Sequence, residues 1–243
     1  MLHAPPTANG DDAAERRRRR ANRWHTLRSV FAAFRLAKQP DAVKYVFMMG
    51  NAQDEIAEGQ RSRGRMRDPF SSPELEAMWQ ARYCPPRYDL ERLIQLPPDT
   101  LGGAYARHMK ANGLRPDFYE DVAPRHRTHY LRMRMRQTHD IWHLLTGFGT
   151  DEFGEVGLQG FYLGQYTNGQ SAIIGAGAML KSVLRARLRD LERHAEAFCT
   201  GYCAGRRAAP LLAVRWEELW AEKVEDLRRR YRITVPSGDP DAG

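Results

Sequence analysis

Apolar residues recur along most of this chain at intervals of three and four, the spacing that places them on one face of an α-helix. Almost no stretch alternates apolar and polar residues with the period of two that a half-buried β-strand requires. No internal repeat is visible. The pattern therefore predicts an all-α protein. Helices are predicted over residues 24–38, 40–56, 128–145, 155–165, 181–203 and 211–230, with one more inside 96–119. Three further helices are predicted to begin at residue 72, at residue 89 and at about residue 171.

The chain divides into one folded domain and two short ends. Residues 1–22 are polar, charged and proline-containing, and they are predicted to be disordered. Residues 23–235 carry the helical pattern and are long enough to bury one core. Residues 236–243 are predicted to be a flexible C-terminus. The predicted fold class is a single mostly helical domain with a disordered basic N-terminal tail.

The net charge of +8 favours anionic partners such as nucleic acid or an anionic membrane surface. Residues 1–25 hold six arginines against three acids, so the tail accounts for about three of these charges. The folded remainder is only mildly basic, which argues against a nucleic-acid-binding protein. The arginine run is either a solvated tail or a patch that touches anionic lipid. Polar residues interrupt the uncharged stretch 156–180, so the sequence predicts neither a transmembrane helix nor a secretory signal.

Three cysteines provide no paired disulfide framework and suit a reducing compartment. Cys199 and Cys203 lie one helical turn apart. The sequence predicts that they are buried thiols and not a second metal site.

The stretch THDIWHLLTGFGTDEFGE carries the clearest chemistry. On a helix, His139, Asp140 and His143 project at roughly 0°, 100° and 40°, and therefore share one face. Two histidines four residues apart on a helix commonly bind one divalent ion together. A glycine-rich turn then allows Glu155 to return from the start of a second helix. Two nitrogens and up to two carboxylates suit Zn, Fe, Mn or Co better than Ca or Mg.

Three glycines follow on the helix that begins at Glu155. Gly157, Gly160 and Gly164 are spaced at i, i+3 and i+7, and an interior glycine costs about 1 kcal/mol relative to alanine. Either another helix packs closely against them, or a ligand lies in a groove along the backbone beside the metal. Both interpretations remain open at this point.

The sequence resembles the coenzyme Q (ubiquinone) biosynthesis protein 4 family. Its signature is His-Asp-x-x-His, eleven residues and Glu, which His139, Asp140, His143 and Glu155 match at that spacing. The resemblance extends to LPPDTLGGAYARHMKANGLRPD upstream and to RWEELWAEKVEDLRRRYRI near the end, and it spans roughly residues 27 to 234. The segment LQGFYLGQYTNGQSA after the glutamate is only loosely similar.

The resemblance implies an α-helical protein of ubiquinone synthesis that binds prenylated ligands and associates with membrane and with other enzymes of that pathway. It implies oxidative decarboxylation, in which a hydroxyl group replaces the C1 carboxyl group of a polyprenyl-4-hydroxybenzoate-type precursor. A homodimer is a further expectation. Because no clear transit peptide is visible, we expect a bacterial cytoplasmic protein docked peripherally on the inner membrane, with no nucleic-acid partner.

Candidate residues for this chemistry lie on the helix that carries the motif. A metal held by the motif can polarise a carboxylate or assist oxygen chemistry, and Asp140 is a candidate for a catalytic role as well as a ligand. Arg134 and Arg136 are candidates to pair with a substrate carboxylate, Arg136 being closer in helical phase to His139. Tyr130 is a candidate for contact with a phenol ring. The alternative for each arginine is a solvated helix charge. Tyr130 is the weaker candidate, and a core position is favoured for it.

Other functional classes remain as alternatives. In a scaffold protein the metal only holds helices together while the chain organises partner enzymes. A phosphohydrolase of the His-Asp type would need a distant aspartate such as Asp190 and an earlier histidine such as His108, His126 or His129. In a zinc protease Asp140 would replace the usual glutamate, although its shorter side chain reaches about one carbon less far.

Overall fold

The computed structural model describes residues 68–115, 126–167 and 169–236, together with residues 17, 24, 25, 28 and 124. Apart from these few positions, the predicted tail and the helix predicted at 24–38 lie outside this part, as do the helix predicted at 40–56 and nearly all of the predicted flexible C-terminus. Within it, eight α-helices, two 3₁₀ turns and no strand confirm the predicted all-α class. The helices are Pro73–Gln80 (α1), Leu90–Leu93 (α2), Leu101–Ala111 (α3), Arg127–Thr146 (α4), Glu152–Gln165 (α5), Gly169–Leu184 (α6), Leu188–Arg207 (α7) and Val224–Tyr231 (α8). The 3₁₀ turns are Pro69–Ser71 and Trp216–Glu218.

Helix α4 lies at the centre of this arrangement and contacts α3, α5 and α8. Its face toward the core carries Tyr130, Ile141 and Trp142, each fully buried. Helices α5, α6 and α7 pack against one another as a second group. Because α5 belongs to both groups, the end of α5 that carries Glu155 is fixed relative to α4.

One predicted helix is broken. The sequence predicts a continuous helix over 181–203, but α6 ends at Leu184 and α7 begins at Leu188. Ala186 in the connection adopts φ 53°, in the left-handed region that ends helices and that alanine rarely occupies. The break turns the chain back so that α7 packs along α5 and α6. Tertiary packing therefore overrides the local helical pattern.

The predicted helix over 211–230 is also wrong in extent. Only a 3₁₀ turn and α8 form there. The intervening backbone instead caps another helix, because Leu101 N–H donates to Glu222 O (2.7 Å) and Gly102 N–H donates to Trp220 O (2.9 Å). These bonds satisfy two of the free amides at the start of α3.

The prediction that Cys199 and Cys203 are buried is wrong as well, since both are exposed on α7.

The face of α7 toward α5 is lined by small residues. Gly201 and Gly205 are buried there, and a Cβ atom on either would come closer than 3.0 Å to the carbonyl oxygen of Gly157 or Phe161.

The glycines of α5 meet this face from the other side. A Cβ atom at Gly160 or Gly164 would come closer than 3.0 Å to a carbonyl oxygen of α7, and one at Gly157 would strike the Phe148 ring. The three candidate groove glycines thus lie against protein atoms. The structure favours close helix packing over a ligand groove at these positions, because no space remains beside their backbone.

Candidate metal centre

A tight turn between α4 and α5 brings the motif residues together. Gly147 ends α4 with φ 75°, a left-handed conformation that favours glycine. Asp151 then caps α5, accepting a hydrogen bond from Gly154 N–H at 2.6 Å. The reversal places the first turn of α5 beside the last turns of α4, and Glu155 faces the two histidines.

His139, His143 and Glu155 form the cluster that the sequence predicts. One ligand atom from each residue lies within 4.8 Å of the other two. His143 Nε2 is 3.2 Å from His139 Nε2 and 3.1 Å from Glu155 Oε1. His139 Nε2 is 3.6 Å from the same carboxylate oxygen.

These separations fit a single divalent ion. Ligand atoms at about 2.0–2.2 Å from an ion in tetrahedral geometry lie roughly 3.3–3.6 Å from one another. Two imidazole nitrogens and one carboxylate oxygen are also a donor set that Zn, Fe, Mn and Co accept. The residues present therefore match a metal site in both chemistry and spacing.

Hydrogen bonds at the far ring nitrogens orient both imidazoles. His143 Nδ1 is 2.9 Å from the Phe148 carbonyl oxygen, so Nδ1 carries a proton. In the neutral ring, the lone pair is then at Nε2, whereas in the protonated ring Nε2 donates to Glu155. His139 Nδ1 is 3.3 Å from the Tyr162 hydroxyl, which itself donates toward Met135 O at 3.5 Å. Partners of this kind fix the tautomer that binds a metal through Nε2.

The electrostatics of the three side chains are coupled. Burial of His143 lowers its pKa, but the hydrogen bond and the charge of Glu155 act against burial and leave the pKa above its ordinary value. Burial raises the pKa of Glu155, yet hydrogen bonds from His139 and His143 outweigh it and lower that pKa to about 2. The carboxylate is thus ionised at any physiological pH and ready to balance a cation.

The cluster is closed on one side and open on the other. The side chain of His143 is 1% exposed, whereas those of His139 and Glu155 are 25% and 40% exposed. A catalytic metal needs at least one position that is free for water or substrate. The exposed edge between His139 and Glu155 provides access to such a position.

Asp140 is not part of the three-residue cluster. It faces α3, where its charge adds to burial in raising the pKa of Tyr105. Its charge also opposes the effect of burial on His108, whose pKa is nevertheless lowered. The role of Asp140 as a fourth ligand or catalytic group stays a prediction.

Of the residues that the phosphohydrolase alternative would need, one histidine lies beside the cluster and the others lie elsewhere. The His108 ring lies 6.4 Å from the His143 ring, centroid to centroid, so one histidine from a distant segment borders the cluster. His126 and His129 lie at the opposite end of α4. Asp190 lies near Arg187 on α7.

The two candidate arginines differ in position. Arg134 is fully buried, and its guanidinium donates to Leu212 O (3.4 Å), Val214 O (3.0 Å) and Gln137 Oε1 (3.1 Å). It ties α4 to the segment after α7 on a face away from the metal cluster. Arg136 is partly exposed. Tyr130 is fully buried and donates to Tyr83 O at 3.0 Å, as a core residue does.

We expect Arg134→Met to lower the free energy of unfolding by about 2–4 kcal/mol, because hydrogen bonds from a charged group are lost and buried carbonyls are left unpaired. Metal content should not change. Urea unfolding followed by circular dichroism measures the first quantity, and elemental analysis the second. Unchanged stability together with lost turnover would instead assign Arg134 to the substrate, as the sequence first suggested.

We expect Tyr162→Phe to weaken metal binding by about 10–100-fold, the usual effect of losing a hydrogen-bond partner of a ligating histidine. The ring, which stacks on Trp142 at 4.7 Å, is kept, so the fold should be unaffected. A competition titration with a chelator measures the affinity. Tyr202→Phe, on the exposed side of α7, is the matched control. Equal affinities in the two variants would contradict the role of Tyr162.

Sequence reasoning did not identify Tyr162 or His108 as neighbours of the cluster. A signal for Tyr162 was present, since it follows Glu155 by seven residues and shares its face of α5. No local signal existed for His108, because α3 and α4 meet only in the folded protein.

Comparison with known proteins gives concordant results. The family model described as coenzyme Q (ubiquinone) biosynthesis protein Coq4 matches residues 26–237, in agreement with the resemblance to 27–234. The mitochondrial ubiquinone biosynthesis protein COQ4 homolog of Drosophila ananassae is 34% identical over 158 residues, which are 60% of this chain and 55% of that protein. The mitochondrial ubiquinone biosynthesis protein COQ4 of Eremothecium gossypii is 33% identical over 156 residues, 62% of this chain and 46% of that protein.

The chain thus spans about half the length of these curated relatives. A crystal structure of a protein from Nostoc punctiforme PCC 73102 has a TM-score of 0.72 and 29% identity to this chain. The superposition covers 87% of this chain and 99% of the Nostoc chain. With the family model matched over nearly the whole sequence, the chain belongs to the coenzyme Q (ubiquinone) biosynthesis protein Coq4 family.

Proposed function

We propose that this protein acts in ubiquinone biosynthesis as a metal-dependent enzyme that oxidatively decarboxylates a polyprenyl-4-hydroxybenzoate-type precursor. The observation that carries the proposal is the convergence of His139, His143 and Glu155 at metal-ligand spacing with one edge exposed. Family membership and the names of the relatives support the pathway.

In the overall reaction, the bond between C1 of the ring and the carboxyl carbon breaks and carbon dioxide leaves. A bond then joins C1 to a hydroxyl oxygen from water, and molecular oxygen takes up the two electrons and two protons that the exchange releases and leaves as hydrogen peroxide. Fe, Mn or Co supplies the redox chemistry that this exchange needs, whereas Zn supplies only Lewis acidity.

The side chains of this protein have separable tasks in the proposal. His139, His143 and Glu155 hold the ion, and Phe148 O and Tyr162 keep the imidazoles in position. The buried side of the cluster excludes water behind His143, so that a substrate approaches only from the exposed edge. Arg136, partly exposed on α4, is the remaining arginine candidate for the substrate carboxylate.

The partners are proposals of the same kind. A prenylated quinone precursor and other enzymes of ubiquinone synthesis are the expected partners, and a homodimer is the expected assembly. The names of the curated relatives describe them as mitochondrial. For this chain we predict a different location, the cytoplasmic face of the inner membrane, and it stays a prediction.

The decisive experiment incubates the purified protein with a prenylated 4-hydroxybenzoate whose carboxyl carbon is isotopically labelled. The protein is reconstituted separately with Fe, Mn, Co and Zn and assayed in air in detergent micelles. We expect labelled carbon dioxide and a hydroxylated ring with at least one redox-active ion, and neither product after chelation.

The scaffold alternative gives the opposite result. If no ion supports release of labelled carbon dioxide, while the protein still binds the precursor and partner enzymes, the catalytic proposal fails. His139→Ala then separates the two roles, because a scaffold whose metal only joins helices loses stability on this change but no chemistry.

A further inference from the structure

The connection between α6 and α7 exposes a cluster of aliphatic side chains to solvent. Leu180, Val183, Leu184 and Leu188 are 57%, 50%, 71% and 67% exposed. Only eight large apolar side chains are classed as exposed in the described part of the chain, and four of them lie within residues 180–188. We call residues 180–188 the hairpin tip. A clustered apolar surface of this kind marks an interaction site, unlike single exposed leucines.

Helix α6 has its polar side turned inward. Its buried residues are Ser171, Gly175 and Ser182. Ser171 Oγ donates to Gln159 Oε1 at 2.8 Å, and Ser182 Oγ lies 3.0 Å from Nδ1 of the buried His194. A helix at the surface of a water-soluble protein normally shows the reverse arrangement. The outer face of α6 is therefore suited to apolar surroundings.

Cationic side chains surround the aliphatic residues of the hairpin tip. Arg185, Arg187 and Arg189 are all exposed. Arg187 lies 3.7 Å from Asp190, whereas Arg185 and Arg189 form no ion pair with any described residue. Leucines surrounded by arginines fit the boundary of an anionic bilayer, where the aliphatic groups enter the acyl region and the guanidinium groups stay among the phosphates. Arg185 also acts on the Glu152 carboxylate, whose pKa it helps to lower, so one of these arginines links the tip to the first turn of α5.

We propose that the hairpin tip is a membrane-docking element that inserts into the headgroup region of an anionic lipid bilayer. No helix in the described residues is long and apolar enough to cross a membrane, so the element lies in the interface. The docking itself does not depend on the proposed reaction.

The hairpin tip is also coupled to the metal centre. Lys181, at the tip, donates to Glu152 Oε1 at 2.7 Å, and His194 Nε2 lies 3.6 Å from the same oxygen. Glu152 lies on the first turn of α5, three residues before Glu155. Docking through the tip therefore holds the metal-binding end of α5 near the bilayer surface. A ligand with a long apolar chain can then reach the cluster without leaving the membrane completely.

Vesicle flotation of the full-length protein tests this proposal. Vesicles of phosphatidylcholine with phosphatidylglycerol are compared with vesicles of phosphatidylcholine alone. The apolar variant is Leu184→Gln/Leu188→Gln and the charge variant is Arg185→Gln/Arg189→Gln. Leu114→Gln is the control, because Leu114 is 37% exposed and lies just after the end of α3, outside the hairpin tip. All variants keep residues 1–67, so any contribution of the N-terminal arginines is constant.

We expect wild type and control to float with anionic vesicles. The apolar variant should lose at least tenfold in partition coefficient, because amides replace two leucine side chains that the proposal places in the bilayer. The charge variant should lose about tenfold or more and bind with a weaker salt dependence. Circular dichroism and metal content should match wild type in both.

Three outcomes would overturn the proposal. The first is failure of wild type to float with anionic vesicles, and the second is an apolar variant that floats as well as wild type. The third is a wild-type dimer that the apolar variant converts to monomer with vesicle binding unchanged, which would make the tip a contact between copies. Release of labelled carbon dioxide from micellar substrate is measured in parallel, so failure of docking and failure of the proposed reaction are distinguishable.

Discussion

Glu155→Gln and His143→Ala should each reduce the metal content of the purified protein to a small fraction of the wild-type value. Each change removes one of the three proposed ligands, whose donor atoms lie 3.1–3.6 Å apart. Loss of a hydrogen-bond partner behind a ligand already costs about 10–100-fold in affinity, so loss of a ligand should exceed about 100-fold. Turnover should fall in proportion. Mass spectrometric metal analysis after dialysis against a weak chelator measures the effect.

Glu152→Gln is the matched control for this experiment. Glu152 lies on the same first turn of α5, but it pairs with Lys181 and lies near His194, outside the cluster of His139, His143 and Glu155. Its substitution should leave metal content unchanged. Equal metal loss in Glu152→Gln and Glu155→Gln would show that α5 requires its first-turn acids only for helix stability. Full metal retention in Glu155→Gln and His143→Ala would show that Glu155 and His143 do not bind the metal.

The part of this site that depends on local sequence was predictable. The helix predicted over 128–145 is observed as Arg127–Thr146, so the phases of His139 and His143 are as expected. The glycine-rich turn returns Glu155 to them because Gly147 and Asp151 encode the end of one helix and the start of the next. Helix periodicity and capping residues are local properties, and the sequence carries them directly.

The parts that depend on tertiary packing were not predictable. The break at Ala186 has no signal, because alanine is a good helix former that is forced into a left-handed conformation here. Arg134 appears in the sequence as a surface charge, and only the carbonyls of the segment after α7 explain its burial. The electrostatic effect of Asp140 on Tyr105 and His108 also depends on how α3 packs against α4, which no local pattern predicts.

Gly201→Ala should lower the free energy of unfolding, although alanine is the better helix former by about 1 kcal/mol. The added Cβ atom would come closer than 3.0 Å to the Gly157 carbonyl oxygen, which is backbone and cannot rotate away. Overpacking of this kind costs about 1–3 kcal/mol or more, and the close approach to backbone favours the upper end, so the net loss should reach about 1–2 kcal/mol or beyond. Urea unfolding measures it.

Gly177→Ala is the matched control, since it makes the same chemical change inside a helix where a Cβ atom has nothing within 4 Å. It should raise the free energy of unfolding by about 0.5–1 kcal/mol, so the two substitutions should have opposite signs. Gly157 lies two residues after Glu155, so displacing α5 should also weaken metal binding in Gly201→Ala and leave it unchanged in Gly177→Ala. Stabilisation by both substitutions would show that α5 and α7 are not in close contact, and the position of Glu155 would then have to be fixed by the turn at Gly147 and Asp151 alone.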